Sequence, residues 1–231
     1  QTLDDAFLVG DLDVDGELGE ETGIEGVVVS IYDEGGLLAA TTTDEDGQYW
    51  FTELDPGVYE VIAAPVSNHF RTTPGSVMLL VGAGDEKQVN FGYTYVENDF
   101  GVIYGTMYND KDGDMGRDFG ELGLSGVDVS LVDLVTDTTN EYGCYSIRID
   151  DAATYTLEET DPDGYHSTTP NEYSFPMQTA SDNDSPWDFG DTLGATVSGM
   201  VYNDFDRDGV KAVDETGVEG VTVELYLEET S

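Results

Sequence analysis

Apolar and polar residues alternate one for one along most of this chain, and turn-forming residues interrupt the alternation about every 8–12 positions. Val27, Val29 and Ile31 fall on one side of such a run, and Val28, Ser30 and Tyr32 on the other. Successive side chains of a strand project to opposite faces, so the run predicts a half-buried strand. Thr41-Thr42-Thr43-Asp44-Glu45-Asp46-Gly47 predicts a turn leading into Tyr49 and Phe51. Asp55-Pro56-Gly57 predicts a tight turn that opens a strand carrying Val58, Tyr59 and Val61. Further on, Asn140-Glu141-Tyr142-Gly143 precedes Tyr145 and Ile147, with Tyr155 and Leu157 after them. There Ile149-Asp150-Asp151-Ala152-Ala153 replaces the Pro-Gly turn, so a hairpin at that point is less sharply specified. No segment of useful length has the 3.6-residue period of a helix.

The pattern recurs as a whole. Gly23-Ile24-Glu25-Gly26-Val27, Gly123-Leu124-Ser125-Gly126-Val127 and Gly217-Val218-Glu219-Gly220-Val221 are three copies of one anchor, with Gly26, Gly126 and Gly220 lying 100 and 94 residues apart. Two copies close alike, at Asn90-Phe91-Gly92 and Asp188-Phe189-Gly190. Units of about 100 residues made of short strands predict an all-β chain of tandem immunoglobulin-like β-sandwiches. Repeat 1 is placed at 1–95, repeat 2 at 96–192, and an incomplete third repeat at 193–231. Half a sandwich would expose its apolar inner face and an unpaired edge, so either the natural chain continues or another subunit supplies the missing strands.

Charge sharpens this picture. Fifty acidic residues stand against 7 basic ones, for a formal net charge of −43 over 231 residues. Such a surface repels nucleic acid and anionic membranes, because both are held by clustered Lys and Arg. Disorder is the other reading of high net charge, but 14 Tyr, 9 Phe and 2 Trp, within 39% hydrophobic residues, are enough to fill cores. One cysteine, Cys144, excludes an intrachain disulfide. It matches Gln48 of repeat 1, beside an inward-pointing Tyr, and is expected to face solvent. No apolar run approaches a membrane span of about 20 residues. The chain opens at Gln1, with no signal peptide, which reads as a mature or excised segment.

The candidate chemistry precedes each anchor. In repeat 2, counting Asp110 as position 1, Asp110, Asp112, Asp114, Asp118 and Glu121 fall at positions 1, 3, 5, 9 and 12. That is the register of a calcium loop of EF-hand type, which draws six or more oxygens from one flexible segment. The third copy gives Asp204, Asp206, Asp208 and Glu215, with Gly209 at the sharp turn. The first gives Asp11, Asp13 and Asp15, but is one residue shorter before Glu21, so its site is either distorted or closed through Glu20. Hard carboxylate oxygens without His or Cys favour Ca2+ over zinc, and a multidentate cage favours it over magnesium. Solvated turns are the plainer reading of any one such loop; three in nearly one register argue against it. Asp44-Glu45-Asp46-Gly47 and Asp161-Pro162-Asp163-Gly164 are companion loops whose composition a turn alone explains. Three divalent ions would offset only six of the 43 net negative charges, which leaves room for a further pressure such as saline surroundings.

The stretches 201–209 and 214–221, together with Thr43-Asp44-Glu45-Asp46-Gly47-Gln48-Tyr49-Trp50-Phe51 and Leu54-Asp55-Pro56-Gly57-Val58-Tyr59, resemble the SdrD B-like repeats of prokaryotic surface proteins, which are related to collagen-adhesin B-type (prealbumin-like) domains. The resemblance spans essentially the whole chain. It implies a calcium-rigidified extracellular stalk or spacer at a cell surface or cell wall, which projects another region outward. Collagen-adhesin domains often carry a Lys–Asn isopeptide bond, but 102–108 and 197–202 contain no Lys, so none is expected here.

Nothing recommends an enzyme. His69 and His166 occupy unmatched columns of the repeat and read as exposed loop residues, and no nucleophile elbow, His-Glu-x-x-His or phosphate loop occurs. Carboxylate pairs carry no information at this acid density. The alternative to a stalk is an adhesive or self-assembling filament module, gripping a surface or matrix protein, or neighbouring copies of itself, by its loops or by strand complementation.

Overall fold

A computed structural model describes residues 6–10, 22–95, 101–177, 186–194, 199–205 and 207–224. It divides into two compact units, Gln1–Gly194 and Ala195–Ser231. Among the described residues every regular element is a strand.

The first unit holds two sandwiches built on one plan. Repeat 1 uses β1 (Ala6–Gly10), β2 (Val28–Asp33), β3 (Gly36–Thr42), β4 (Gln48–Tyr49), β5 (Gly57–Ala63), β6 (His69–Arg71), β7 (Ser76–Val81) and β8 (Phe91–Tyr95). Repeat 2 uses β9 (Gly101–Asn109), β10 (Asp128–Leu131), β11 (Val135–Thr138), β12 (Cys144–Ile149), β13 (Ala153–Glu159), β14 (Tyr165–Ser167), β15 (Glu172–Met177) and β16 (Phe189–Leu193). The sheets run β4-β1-β8-β6 and β3-β2-β5-β7 in repeat 1, and β12-β9-β16-β14 and β11-β10-β13-β15 in repeat 2. The first and last strands of each repeat pair in parallel, β1 with β8 and β9 with β16, while the other pairings are antiparallel. Parallel first and last strands make the chain enter a sandwich at one end and leave it at the other, so successive repeats follow one another lengthwise.

The alternation decides which face is inside. Val29, Ile31 and Val61 from one sheet pack on Tyr49 and Phe91 from the other, all buried, while Val28 points to solvent at 44% exposure. Leu131, Leu157, Tyr145 and Phe189 repeat the arrangement in repeat 2. Two threonines close the anchors. The Thr43 hydroxyl accepts from the Val27 amide (2.9 Å) and donates to the Ile24 carbonyl (2.6 Å), and Thr139 does the same for Val127 and Leu124 at 2.9 and 2.7 Å. Gly26, Gly126 and Gly220 adopt φ of 79°, 76° and 75°, a region that penalises any side chain.

Some sequence expectations need correction. Thr41 and Thr42 belong to β3, a strand hidden by its mostly exposed residues. The segment after Ile149 forms no hairpin: β12 and β13 lie in different sheets, so the chain crosses the sandwich there. Tyr155 donates its hydroxyl hydrogen to the Asp151 carbonyl, as Tyr59 does to Asp55, and the crossing holds without Pro-Gly. His69 and His166 sit in the short strands β6 and β14 rather than in loops.

Cys144 is buried rather than solvent-facing, because the surface it was expected to occupy is covered by the neighbouring repeat. Tyr142 and Cys144 of repeat 2 join the core cluster of repeat 1, and Phe70 of repeat 1 packs with Val102 and Tyr104 of repeat 2. The Tyr142 hydroxyl donates to the Gln88 carbonyl (2.7 Å), Ser146 donates to the Thr72 carbonyl, and Lys87 lies 3.4 Å from Glu141. Burial pushes the Cys144 thiol up to about 11 despite the opposing pull of Arg117, which leaves it an unreactive apolar filler.

Candidate metal centre

The acidic loop of repeat 2 leaves β9 at the end of the sandwich from which β16 departs, and the Asp110 amide donates to the Asp191 carbonyl at 2.8 Å. This first loop carboxylate is fully buried. Its Oδ1 accepts from the Gly113 amide (2.7 Å) and its Oδ2 from the Met115 amide (3.0 Å). Burial alone would raise the Asp110 carboxyl, but hydrogen bonds from Thr168 and from the Met115, Gly113 and Asp114 amides overcome it and hold the group below its ordinary range. Asp110 is therefore an anion at neutral pH, fixed in place before any ligand arrives.

Asp112 and Asp114 are exposed and arrange their own turn: Asp112 accepts from the Asp114 amide at 3.2 Å, and Asp114 from the Gly116 amide at 2.7 Å. One oxygen from each of Asp110, Asp112 and Asp114 can be chosen so that all three lie within 4.8 Å of one another. Three anions converging from positions 1, 3 and 5 repel each other unless a cation sits among them. Glu121 and Asp118 lie outside that group. Glu121 is buried and instead ties the loop shut, Oε1 accepting from the Lys111 amide (2.7 Å) and Oε2 from the Asp118 amide (3.0 Å).

The second unit carries the same closure. Glu215 is buried, with Oε1 accepting from the Phe205 amide (2.8 Å) and Oε2 from the Ala212 amide (2.9 Å), at the loop positions that Lys111 and Asp118 occupy in repeat 2. Asp204 accepts from the Asp208 amide (3.2 Å) and from the Gly209 amide (3.0 Å). Asp208 accepts from the Val210 amide at 2.7 Å. Asp206 lies outside the described residues, as do Asp11, Asp13, Asp15, Glu20 and Glu21 of the first loop.

The companion loops part company. Asp44 accepts from the Asp46 and Gln48 amides at 3.0 and 2.9 Å, and uncharged Asn140 does the same work for Tyr142 and Cys144 at 2.9 and 3.1 Å, so this is a turn. Asp161, by contrast, belongs to a second carboxylate group with Glu159 and Asp191, which again offers one oxygen each within 4.8 Å. Burial first, then Asp191 and Asp161, push Glu159 up to about 8; burial and Asp161 push Asp191 up to about 6. Glu159 and Asp191 carry no local motif. The visible signal was a mismatch between copies, Tyr93 after Phe91-Gly92 against Asp191 after Phe189-Gly190.

Residues 6–89 match the SdrD B-like domain family. The chain is 31% identical over 241 aligned positions to serine-aspartate repeat-containing protein D of Staphylococcus aureus (strain Newman), covering 89% of this chain and 18% of that protein. It is 27% identical over 241 positions to serine-aspartate repeat-containing protein F of Staphylococcus epidermidis, covering 89% of this chain and 13% of that protein. The chain thus spans less than a fifth of the length of these relatives. Among solved structures, it aligns with the minor pilin GBS52 of Streptococcus agalactiae at 16% identity and a TM-score of 0.33, over 84% of this chain and 97% of that one.

Proposed function

We propose that this chain, which carries an SdrD B-like domain at residues 6–89, is a section of a cell-surface stalk whose repeats are stiffened by calcium held in their acidic loops. It works outside the cell as a spacer and catalyses nothing. The observation that carries this reading is the convergence of Asp110, Asp112 and Asp114 on a loop closed by a buried Glu, with the same closure built by Glu215 in the other unit. Six backbone amides aim at Asp110, Asp112, Asp114 and Glu121, so the loop is organised as a cradle for a hard cation. Its location supports a mechanical role. The loop lies where the chain leaves the sandwich, and a cation there ties β9, the loop and, through the Asp110 amide, β16 together. The buried joint between repeats 1 and 2 supports the same conclusion, because aromatic packing and cross-repeat hydrogen bonds resist bending.

An ion that binds only the folded state stabilises it by mass action, about 2.7 kcal/mol for each site at a hundredfold excess over Kd. Thermal unfolding with calcium, and with chelator at matched ionic strength, should therefore differ by roughly 5–10 °C per occupied site. Magnesium at the same concentration should restore little of it. Equal melting temperatures in calcium and chelator would sink the reading and leave the loops as solvated turns.

A further inference from the structure

At the exit end of repeat 2, Glu159 closes β13, Asp161 follows it in the next loop, and Asp191 lies in the middle of β16. Asp191 is fully buried and Glu159 is 3% exposed. Neither carboxylate oxygen of Asp191, nor Oε2 of Glu159, meets a hydrogen-bond partner among the described residues. Asp161 is better served: Ser167 donates to its Oδ1 at 2.6 Å and Asn171 at 2.7 Å, while Ser167 lies 3.4 Å from Glu159 Oε1. His166, on β14, is exposed. A buried carboxylate without donors is among the costliest groups a protein can hold, and one set beside two further carboxylates is worse.

Repeat 1 shows what the position is for. Val29 pairs with Ala63 as Val129 pairs with Glu159, and Arg71 pairs with Tyr93 as Ser167 pairs with Asp191. Glu159, Asp191 and Ser167 therefore stand where repeat 1 has Ala63, Tyr93 and Arg71. There the Arg71 guanidinium lies 5.9 Å over the Tyr93 ring and donates to the Ala63 carbonyl at 3.0 Å. Repeat 1 fills this corner with a cation of its own. Repeat 2 has lost that cation and gained three carboxylates at the same place.

We propose that Glu159, Asp161 and Asp191 form a divalent-cation site in repeat 2, taking calcium from solution in the corner that the Arg71 guanidinium fills in repeat 1. The donors are all hard oxygens and the cluster contains no His or Cys ligand, which suits calcium with water completing the shell. The site is additional to the Asp110 loop and does not depend on it for its ligands. The two touch through one backbone bond, from the Asp110 amide to the Asp191 carbonyl.

The test is a calorimetric calcium titration of the whole chain in four forms: unaltered, Asp112→Asn with Asp114→Asn, Glu159→Gln with Asp191→Asn, and Ser167→Arg. Neutralising Glu159 and Asp191 should remove one bound calcium per chain and leave the binding that the loop variant abolishes. Ser167→Arg should remove the same ion by supplying the repeat 1 solution. Melting provides a second readout with opposite signs. In chelator the Glu159→Gln, Asp191→Asn protein should melt above the unaltered one, since repulsion is relieved; in calcium it should melt below it. Unchanged stoichiometry, or a higher melting temperature in both conditions, overturns the proposal and leaves a protonated buried cluster. A loop variant that loses nothing while the cluster variant loses an ion would refute the loop reading alone.

Discussion

Repeats 1 and 2 share a frame but differ in one corner. Their strand orders coincide, Thr43 and Thr139 bridge the same two backbone groups, and Tyr49 and Tyr145 both bury their rings and donate to a carbonyl two residues before the last strand of the repeat, Val89 and Trp187. At the exit end, however, one repeat holds Arg71 over Tyr93 and the other buries Glu159 beside Asp191, with neither Asp191 oxygen nor Glu159 Oε2 meeting a donor among the described residues. The frame depends on apolar burial and backbone pairing, which tolerate little change. The corner tolerates different chemistry: in repeat 1 the Arg71 guanidinium lies on the Tyr93 ring and the Ala63 carbonyl, and in repeat 2 carboxylates gather in its place. The proposed site would exchange an internal cation for an external one without altering the topology, since the strand orders of the two repeats coincide.

The comparison can be broken most forcefully at the joint that presents both repeats as one body. Tyr142→Ala removes a buried ring and its bond to Gln88, at a cost of about 3–5 kcal/mol. Calorimetry should then resolve two unfolding transitions in place of one, and a single unshifted transition would mean that the repeats are not coupled through this ring. Arg71→Met should cost about 2 kcal/mol, through the lost bond to Ala63 and the lost contact with Tyr93. That loss should be the same with and without calcium, and rescue by calcium would contradict a self-contained cation in repeat 1. Thr43→Val and Thr139→Val should each cost about 1 kcal/mol in chemical denaturation, because each strips the same two backbone partners. Unequal costs would show that the frames are less alike than their geometry.

The smallest effect is in the pH profile of chelated protein. Folding raises Glu159 to about 8 and Asp191 to about 6, so the folded state holds protons that the unfolded state has released. The stability these two groups contribute should then be fully present below the ordinary carboxylate range and be lost as pH rises to about 8. Asp110 and Asp161, held low in the folded state, contribute in the opposite sense at acid pH. Asp161 adds to the repulsion, and His166, when charged, offsets part of it for Asp191. A melting-temperature difference between the unaltered protein and Glu159→Gln with Asp191→Asn that does not grow from about pH 5 to about pH 8 in chelator would contradict the buried placement of the two carboxyls.

Much of this was readable from residue order. Val27, Val29 and Ile31 announced their strand because a pleat has a period of two, and the Asp110 loop announced itself because its carboxylates fall at positions 1, 3, 5, 9 and 12 of one short segment. Local spacing also exposed Gly26, Gly126 and Gly220 as backbone positions. Cys144 was misread because its burial depends on the core cluster of another repeat, which no pattern around residue 144 records.

By itself, the sequence determined the all-β class, the repeat, the inward faces and the acidic loops, since each follows from spacings that one strand or one turn imposes on neighbouring residues. The tertiary structure alone decided that Glu121 and Glu215 close their loops through backbone amides, that Tyr142 and Cys144 seal a joint, and that Glu159 meets an Asp191 whose carboxylate has no donor among the described residues. The loop closures are local but depend on how each acidic loop folds back on itself, whereas the joint and the carboxylate corner arise where strands distant in the chain are brought together, so that partners are set by register rather than by neighbours in sequence.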